Sequence, residues 1–146
     1  MKLEDTTLYN IAQPVVFGKP KQLKKFADKM LRVMSTHSGI GLAATQVGFD
    51  KRVFVMKING NIYRIFNPLI VSRSEKITSF EEGCLSFPGT RIDISRSESI
   101  TAEWYNEYGK LNVSEMDGLL ARCFQHEYDH LNGITIMERQ NAEKQS

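Results

Sequence analysis

The sequence predicts an α+β domain, with antiparallel β-sheets packed around a central helix that carries an H-E-x-x-H motif and one further helix near the N-terminus. Three observations predict it. Apolar residues recur at helical spacing between Lys21 and Thr36, and short apolar runs bounded by turn signals fill the middle of the chain. A second helical segment then closes at Asn132-Gly133.

The first helix has Leu23, Phe26, Ala27, Met30, Leu31, Val33 and Met34 at apolar positions, with Pro20 near its start and Gly39 past its end. At Lys51 the period changes. Val53-Phe54-Val55-Met56 reads as a buried strand, Asn59-Gly60 as a hairpin turn, and Asn61 to Phe66 as the returning strand, closed by Asn67-Pro68. Ile70 to Thr78, Arg91 to Arg96, Ser99 to Tyr105 and Lys110 to Val113 follow as strands, the last two joined through Tyr108-Gly109. The second helix starts at Asp117 or Gly118, with Asp117 as N-cap. Its apolar residues Leu119, Leu120, Cys123, Phe124 and Leu131 lie on several sides, which marks a buried, central helix. Residues 138–146 read as a polar tail with little to form a packed helix.

The chain of 146 residues has no repeats or linkers, so a single domain over 1–146 is expected. A net charge of +2 is too small to argue for nucleic acid or a membrane as partner, and Lys19, Lys21, Lys24 and Lys25 fit a solvated helix face. No apolar run approaches the roughly 20 residues of a membrane span. The first residues do not resemble a targeting segment, so the expected location is the cytoplasm, with Cys84 and Cys123 reduced.

The chemistry concentrates in His126-Glu127-Tyr128-Asp129-His130. Residues four apart on a helix stand one above the other, so both imidazoles can reach one cation. Glu127 then sits beside a water on that cation, as metal-assisted hydrolysis requires. A third ligand is needed. The metzincin extension would place it at Ile136, which cannot bind metal. A glutamate from a following helix, as in thermolysin, would have to be Glu138 or Glu143 in the polar tail. Cys123 and His130 stand ~10 Å apart along one helix axis, too far for compact tetrahedral binding, so Cys123 reads as a small buried residue beside the site. Cys84 lies between Gly83 and Gly89 in a segment that can bend toward the helix from another direction, and it is the favoured third ligand.

With these residues in place the sequence resembles the peptide deformylases. Three blocks carry the resemblance: Gly39-Ile40-Gly41-Leu42-Ala43-Ala44-Thr45-Gln46, Glu82-Gly83-Cys84-Leu85-Ser86 and Gln125-His126-Glu127-Tyr128-Asp129-His130, with Gly118-Leu119-Leu120-Ala121-Arg122 leading into the last. It extends from about Ile11 to Met137. It implies hydrolysis of the N-formyl group from the initiating methionine of new polypeptides, with release of formate. It implies Cys84, His126 and His130 as ligands to one divalent ion, Glu127 as base, and the Gln46 amide and Leu85 N–H as donors to the oxyanion. The substrate would lie along Ile40 and Gly41. Its methionine would meet Ile40, Glu82, Leu119, Arg122, Cys123 and His126, Arg91 would contact substrate residues further along, and Gly83 would also bind the substrate. The Arg122 stem would line that pocket while its charge reaches solvent or a carboxylate. Asp129 and Arg96 could pair to orient the ligands.

A mixed sulfur and imidazole set accepts zinc, ferrous iron, cobalt or nickel, and the resemblance implies ferrous iron as the physiological ion. Tyr9 stands where the family carries an arginine, and nine polar residues follow Met137 in place of the long C-terminal helix of bacterial forms. The short form resembles phage-encoded members, which act in the cytoplasm of a bacterial host, and it is not expected to dock on ribosomes through such a helix. The rival readings are a zincin metallopeptidase and a catalytically silent binding module.

Overall fold

The computed structural model describes residues 1–145, with side chains through residue 142. In chain order it contains α1 (Pro20–Thr36), β1 (Gly41–Ala43), a single 3₁₀ turn (Ala44–Val47), β2 (Val53–Ile58), β3 (Asn61–Arg73), β4 (Ile77–Cys84) and β5 (Phe87–Ser97). These are followed by β6 (Ser99–Tyr105), β7 (Leu111–Asp117), α2 (Gly118–Leu131) and α3 (Ile136–Gln145). An antiparallel five-stranded sheet has the order β1-β2-β3-β6-β7, and β4 and β5 form a separate hairpin. This is the expected α+β fold.

The period-2 geometry of β2 divides the core. Val53 and Val55 face α1, where they meet Ala27, Met30 and Met34. Phe54 and Met56 face α2 and join Phe124 and Leu131 on the opposite side. The rings of Phe54 and Phe124 meet edge to face with centroids 5.0 Å apart, a favourable aromatic arrangement. With both faces covered, Val53 to Met56 is continuously apolar, as the sequence indicated. α2 packs against β1, β2, β6 and β7 of the large sheet and against β5 of the hairpin. The H-E-x-x-H helix thus lies where the two sheets meet.

Three local expectations differ from the structure. Asn67-Pro68 does not close the strand after Phe66, because β3 runs on to Arg73 across a register shift between Phe66 and Leu69. Asn67 takes φ 46° there, and its side chain accepts from the Val15 N–H at 2.7 Å and donates to the Val15 carbonyl at 3.0 Å. A bulge held in this way accommodates Pro68 without ending the pairing. The single strand expected from Ile70 to Thr78 is split by a turn in which Ser74 Oγ donates to the Lys76 carbonyl at 2.9 Å.

The third difference is at the C-terminal end. Ile136–Gln145 forms a helix instead of an unpacked tail, with Ile136 buried against Ile92 and Ile94 of β5. The Glu143 side chain lies outside those described. Asp117 does stand at the N-cap of α2, but its side chain makes no capping bond. Gly118, at φ 57°, turns the chain from β7 into the helix, a conformation that favours glycine.

Candidate active site

Four segments converge on one cavity of about 750 Å³. β1 and the residue before it supply Ile40 and Gly41, and the 3₁₀ turn supplies Gln46. The β4–β5 hairpin supplies Glu82, Gly83, Cys84, Leu85 and Arg91, and α2 supplies Leu119, Arg122, Cys123, His126 and Glu127. His130 is fully buried just behind them.

Ligand atoms of Cys84, His126 and His130 lie within 4.8 Å of one another, with Cys84 Sγ 3.4 Å from His130 Nε2. Donors bound tetrahedrally to one ion at ~2.0–2.3 Å are separated by about 3.5 Å, so the spacing suits a single small cation. Cys123 stands apart from this group. Burial raises its thiol pKa well above the ordinary value, aided by the charges of Glu127 and Glu82, which suits a neutral packing residue.

The electrostatics also fit a cation. Burial opposes charging of His126, but Glu127, Cys84 and Glu82 outweigh it and raise its pKa to about 10, so the pocket favours positive charge at this point. Burial keeps the neighbouring His130 neutral, and the positive charges of His126 and Arg96 push its pKa down further. Glu82 Oε1 holds His126 Nδ1 at 2.8 Å and leaves Nε2 free to face Cys84 and His130. Two buried polar atoms make no hydrogen bond among the described residues, Glu127 Oε1 and His130 Nδ1.

Glu127 lies 3% exposed beside this cluster. Burial raises its pKa, and despite the opposing charges of His126 and Arg96 the value reaches about 7, the range in which a carboxylate works as a base near neutral pH. The tight backbone of Gly41 passes directly over it. A Cβ there would stand 2.5 Å from Glu127 Oε2 and 2.8 Å from Cys123 Sγ. Gln46 is fixed by its own backbone turn, since Oε1 accepts the Ala43 N–H at 2.9 Å. Its amide nitrogen therefore faces the site, 3.4 Å from Cys84 Sγ and 3.1 Å from Ser86 Oγ.

A charged network supports the ligands. Arg96 donates through Nε and Nη2 to Glu82 at 2.6 and 2.9 Å, and through Nη1 to Asp129 at 2.9 Å. The Arg96–Asp129 pair suggested by the sequence is therefore present. Glu82 lines the cavity, yet its carboxylate is committed to Arg96, Arg122 and His126. Burial raises its pKa, but hydrogen bonds and charge from His126 and Arg96 outweigh that and hold it at about 2. The Arg122 charge reaches this carboxylate while its guanidinium lies over the exposed ring of Phe80 at 5.2 Å. Arg91 pairs with Glu81 at the rim.

Sequence reasoning missed two members of the surroundings. Ser86 stands in one of the blocks that carry the resemblance, but no role was read from it. Arg139, on α3, reaches both oxygens of Asp129. Its signal was Thr135-Ile136-Met137-Glu138, a helix-starting pattern that turns up just before it.

The polypeptide deformylase family model matches residues 1–146. The peptide deformylase of Treponema pallidum is 40% identical over 137 residues, covering 94% of this chain and 84% of that protein. The Thermotoga maritima enzyme is 40% identical over 135 residues, covering 92% and 82%. Its crystal structure superimposes with a TM-score of 0.89 over 92% of this chain and 91% of that one. A probable peptide deformylase of Synechococcus phage S-SSM7 has a TM-score of 0.88 at 36% identity, covering 94% and 99%. On these likenesses the chain belongs to the polypeptide deformylase family, metallohydrolases that remove the N-formyl group from newly made polypeptides.

Proposed function

We propose that Cys84, His126 and His130 hold one divalent cation and that Glu127, Gln46 and Leu85 carry out deformylation around it. The observation that carries this reading is the closeness of the three ligand atoms, within 4.8 Å, beside a buried Glu127 with one oxygen unpartnered. When bound, the cation supplies Lewis acidity and makes hydroxide accessible near neutral pH. Glu127 accepts a proton from water at its carboxylate and delivers it to the departing amine nitrogen. Oxygen adds to the formyl carbon, the C–N bond breaks, and formate and a free α-amine result. The Gln46 amide and the Leu85 N–H donate to the formyl oxygen as its charge grows.

The substrate backbone runs along Ile40 and Gly41 as an added strand. Its methionine packs on Ile40, Leu119, the Arg122 stem and Cys123, with His126 and Glu82 behind them and Gly83 and Arg91 touching residues further along. The chain works as one catalytic domain on formyl-methionyl nascent chains, in the cytoplasm (that of a bacterial host if the gene is phage-borne). Among the described residues no helix is long and apolar enough to cross a membrane. Ferrous iron is the proposed physiological ion, with zinc, nickel or cobalt able to replace it on the same thiolate and imidazole donors. Activity that decays in air as iron enzyme and persists as nickel enzyme supports that choice.

The test compares metal-loaded protein on formyl-Met-Ala-Ser, the unformylated peptide and casein. Amine release from the formylated peptide alone is expected, whereas internal cleavage of casein would make the protein a peptidase. No turnover with iron, nickel or zinc would leave a binding module. Glu127→Ala should keep stoichiometric metal and lose turnover, and Cys84→Ala should lose the metal. If Cys123→Ala lost it instead, the ligand assignment would be wrong.

A further inference from the structure

Asp129 lies inside the H-E-x-x-H motif, with its side chain 5% exposed, and it binds two guanidinium groups. Arg139 donates through Nε to Oδ2 at 2.8 Å and through Nη2 to Oδ1 at 2.6 Å, while Arg96 Nη1 reaches Oδ2 at 2.9 Å. The other edge of Arg96 clamps Glu82, and Glu82 Oε1 holds His126 Nδ1 at 2.8 Å. A continuous chain of charge-assisted bonds therefore runs from α3 to a ring proposed to bind metal.

The delivery of Arg139 is also built into the sequence. The Glu138 carboxylate accepts from Thr135 N–H at 2.9 Å and Thr135 Oγ at 2.8 Å, and Thr135 Oγ accepts the Met137 N–H at 3.2 Å. This reciprocal cap fixes the first turn of α3, and buried Ile136 seats that turn on β5. The Arg139 N–H bonds the Thr135 carbonyl at 3.2 Å, which places its side chain over Asp129.

We propose that Arg139 is a positioning residue for the metal centre, holding Asp129 so that Arg96 and Glu82 keep the His126 ring in its ligating orientation. The inference rests on His126 and His130 being ligands. A planar fork is required because Asp129 must present Oδ2 to Arg96 while Oδ1 is held elsewhere. Without that fork the buried carboxylate can turn both oxygens toward Arg96. It then competes with Glu82 for the same guanidinium, and Glu82 is the group that orients His126.

The experiment measures zinc release from the loaded protein to a chromophoric chelator. Arg139→Gln should release zinc up to about 10-fold faster than the wild type, less than the roughly 10- to 100-fold loss of affinity that follows removal of a direct partner of a metal ligand. Arg139→Lys should fall between them, since an ammonium keeps the charge without the fork. Met34→Ala, in the α1 core, lowers stability without touching the network and should release zinc at the wild-type rate. Wild-type release from Arg139→Gln, equal release from the Lys and Gln variants, or equal acceleration by Met34→Ala would each overturn the positioning role. A wild type that binds no zinc would overturn the ligand reading and this inference together.

Discussion

Substituting Gly41 tests how tightly β1 constrains Glu127, the proposed base. An alanine Cβ at this position would lie 2.5 Å from Glu127 Oε2, 3.0 Å from Glu127 Cδ and 2.8 Å from Cys123 Sγ. Ordinary contacts between such atoms are about 3.5 Å, so the carboxylate has to retreat by roughly 1 Å. Displacements of that size at reacting groups cost about 100-fold in rate. Gly41→Ala should therefore lower kcat about 100-fold on formyl-Met-Ala-Ser, read as amine release. Metal content should stay stoichiometric, because the three atoms nearest the added methyl group belong to Glu127 and Cys123 and not to Cys84, His126 or His130. In a Glu127→Ala background, read from the slow residual turnover, the same substitution should cost far less, since only the Cys123 Sγ contact at 2.8 Å persists. A kcat within a few-fold of wild type would refute the contact. A full 100-fold loss in the Glu127→Ala background would show that the methyl acts elsewhere, on the approach of the substrate backbone.

Three further outcomes follow from the site and its supports. Gln46→Leu should reduce kcat by about 100-fold or more with metal retained, as expected for loss of an oxyanion donor; unchanged kcat would remove Gln46 from the mechanism. Arg96→Met leaves Glu82 and Asp129 buried without their shared partner and should cost about 3–5 kcal/mol in urea denaturation, and a loss under about 1 kcal/mol would contradict the network. Glu82 has a folded pKa of about 2 against an ordinary 4.5. Its contribution is therefore complete above about pH 4.5 and lost as pH falls toward 2, an effect of roughly 3 kcal/mol. Chelator-treated wild type should lose stability through that window, and Glu82→Gln should flatten the loss, both read from urea midpoints.

Residues with a regular local period were legible in the chain. The α1 face, the two-sided apolar run of β2 and the two histidines of α2 are set by spacing within one element. Period 3.6 or 2 dictates which side chains share a face, whatever the partner. Asn67-Pro68 misled because its local chemistry does resemble a strand end. The side-chain bonds to Val15, distant in sequence, are what carry β3 through the bulge. The C-terminal helix was obscure for a related reason. Its two large apolar residues, Ile136 and Met137, stand together at its start, and Glu138, Arg139, Gln140 and Asn141 follow with no apolar period to mark a buried face. Its seat depends on a small contact with β5 and an ion pair to Asp129.

By itself the sequence determined the α+β class, the pairing of His126 with His130 on one helix, and the position of Glu127 beside them. Little more than one turn of α2 supplies His126, Glu127 and His130. It also pointed to Cys84 and Gln46, through exclusion of other ligands and through family resemblance. The tertiary structure decided how those residues meet. The β4–β5 hairpin brings Cys84 Sγ to 3.4 Å from His130 Nε2, the 3₁₀ turn locks the Gln46 amide through the Ala43 N–H, and α3 returns Arg139 to the motif. The hairpin and the helix α2 that it meets are tens of residues apart, and no local periodicity encodes their contact. It arises only when the two sheets close on α2, where burial strengthens each charge and leaves few arrangements that satisfy them all.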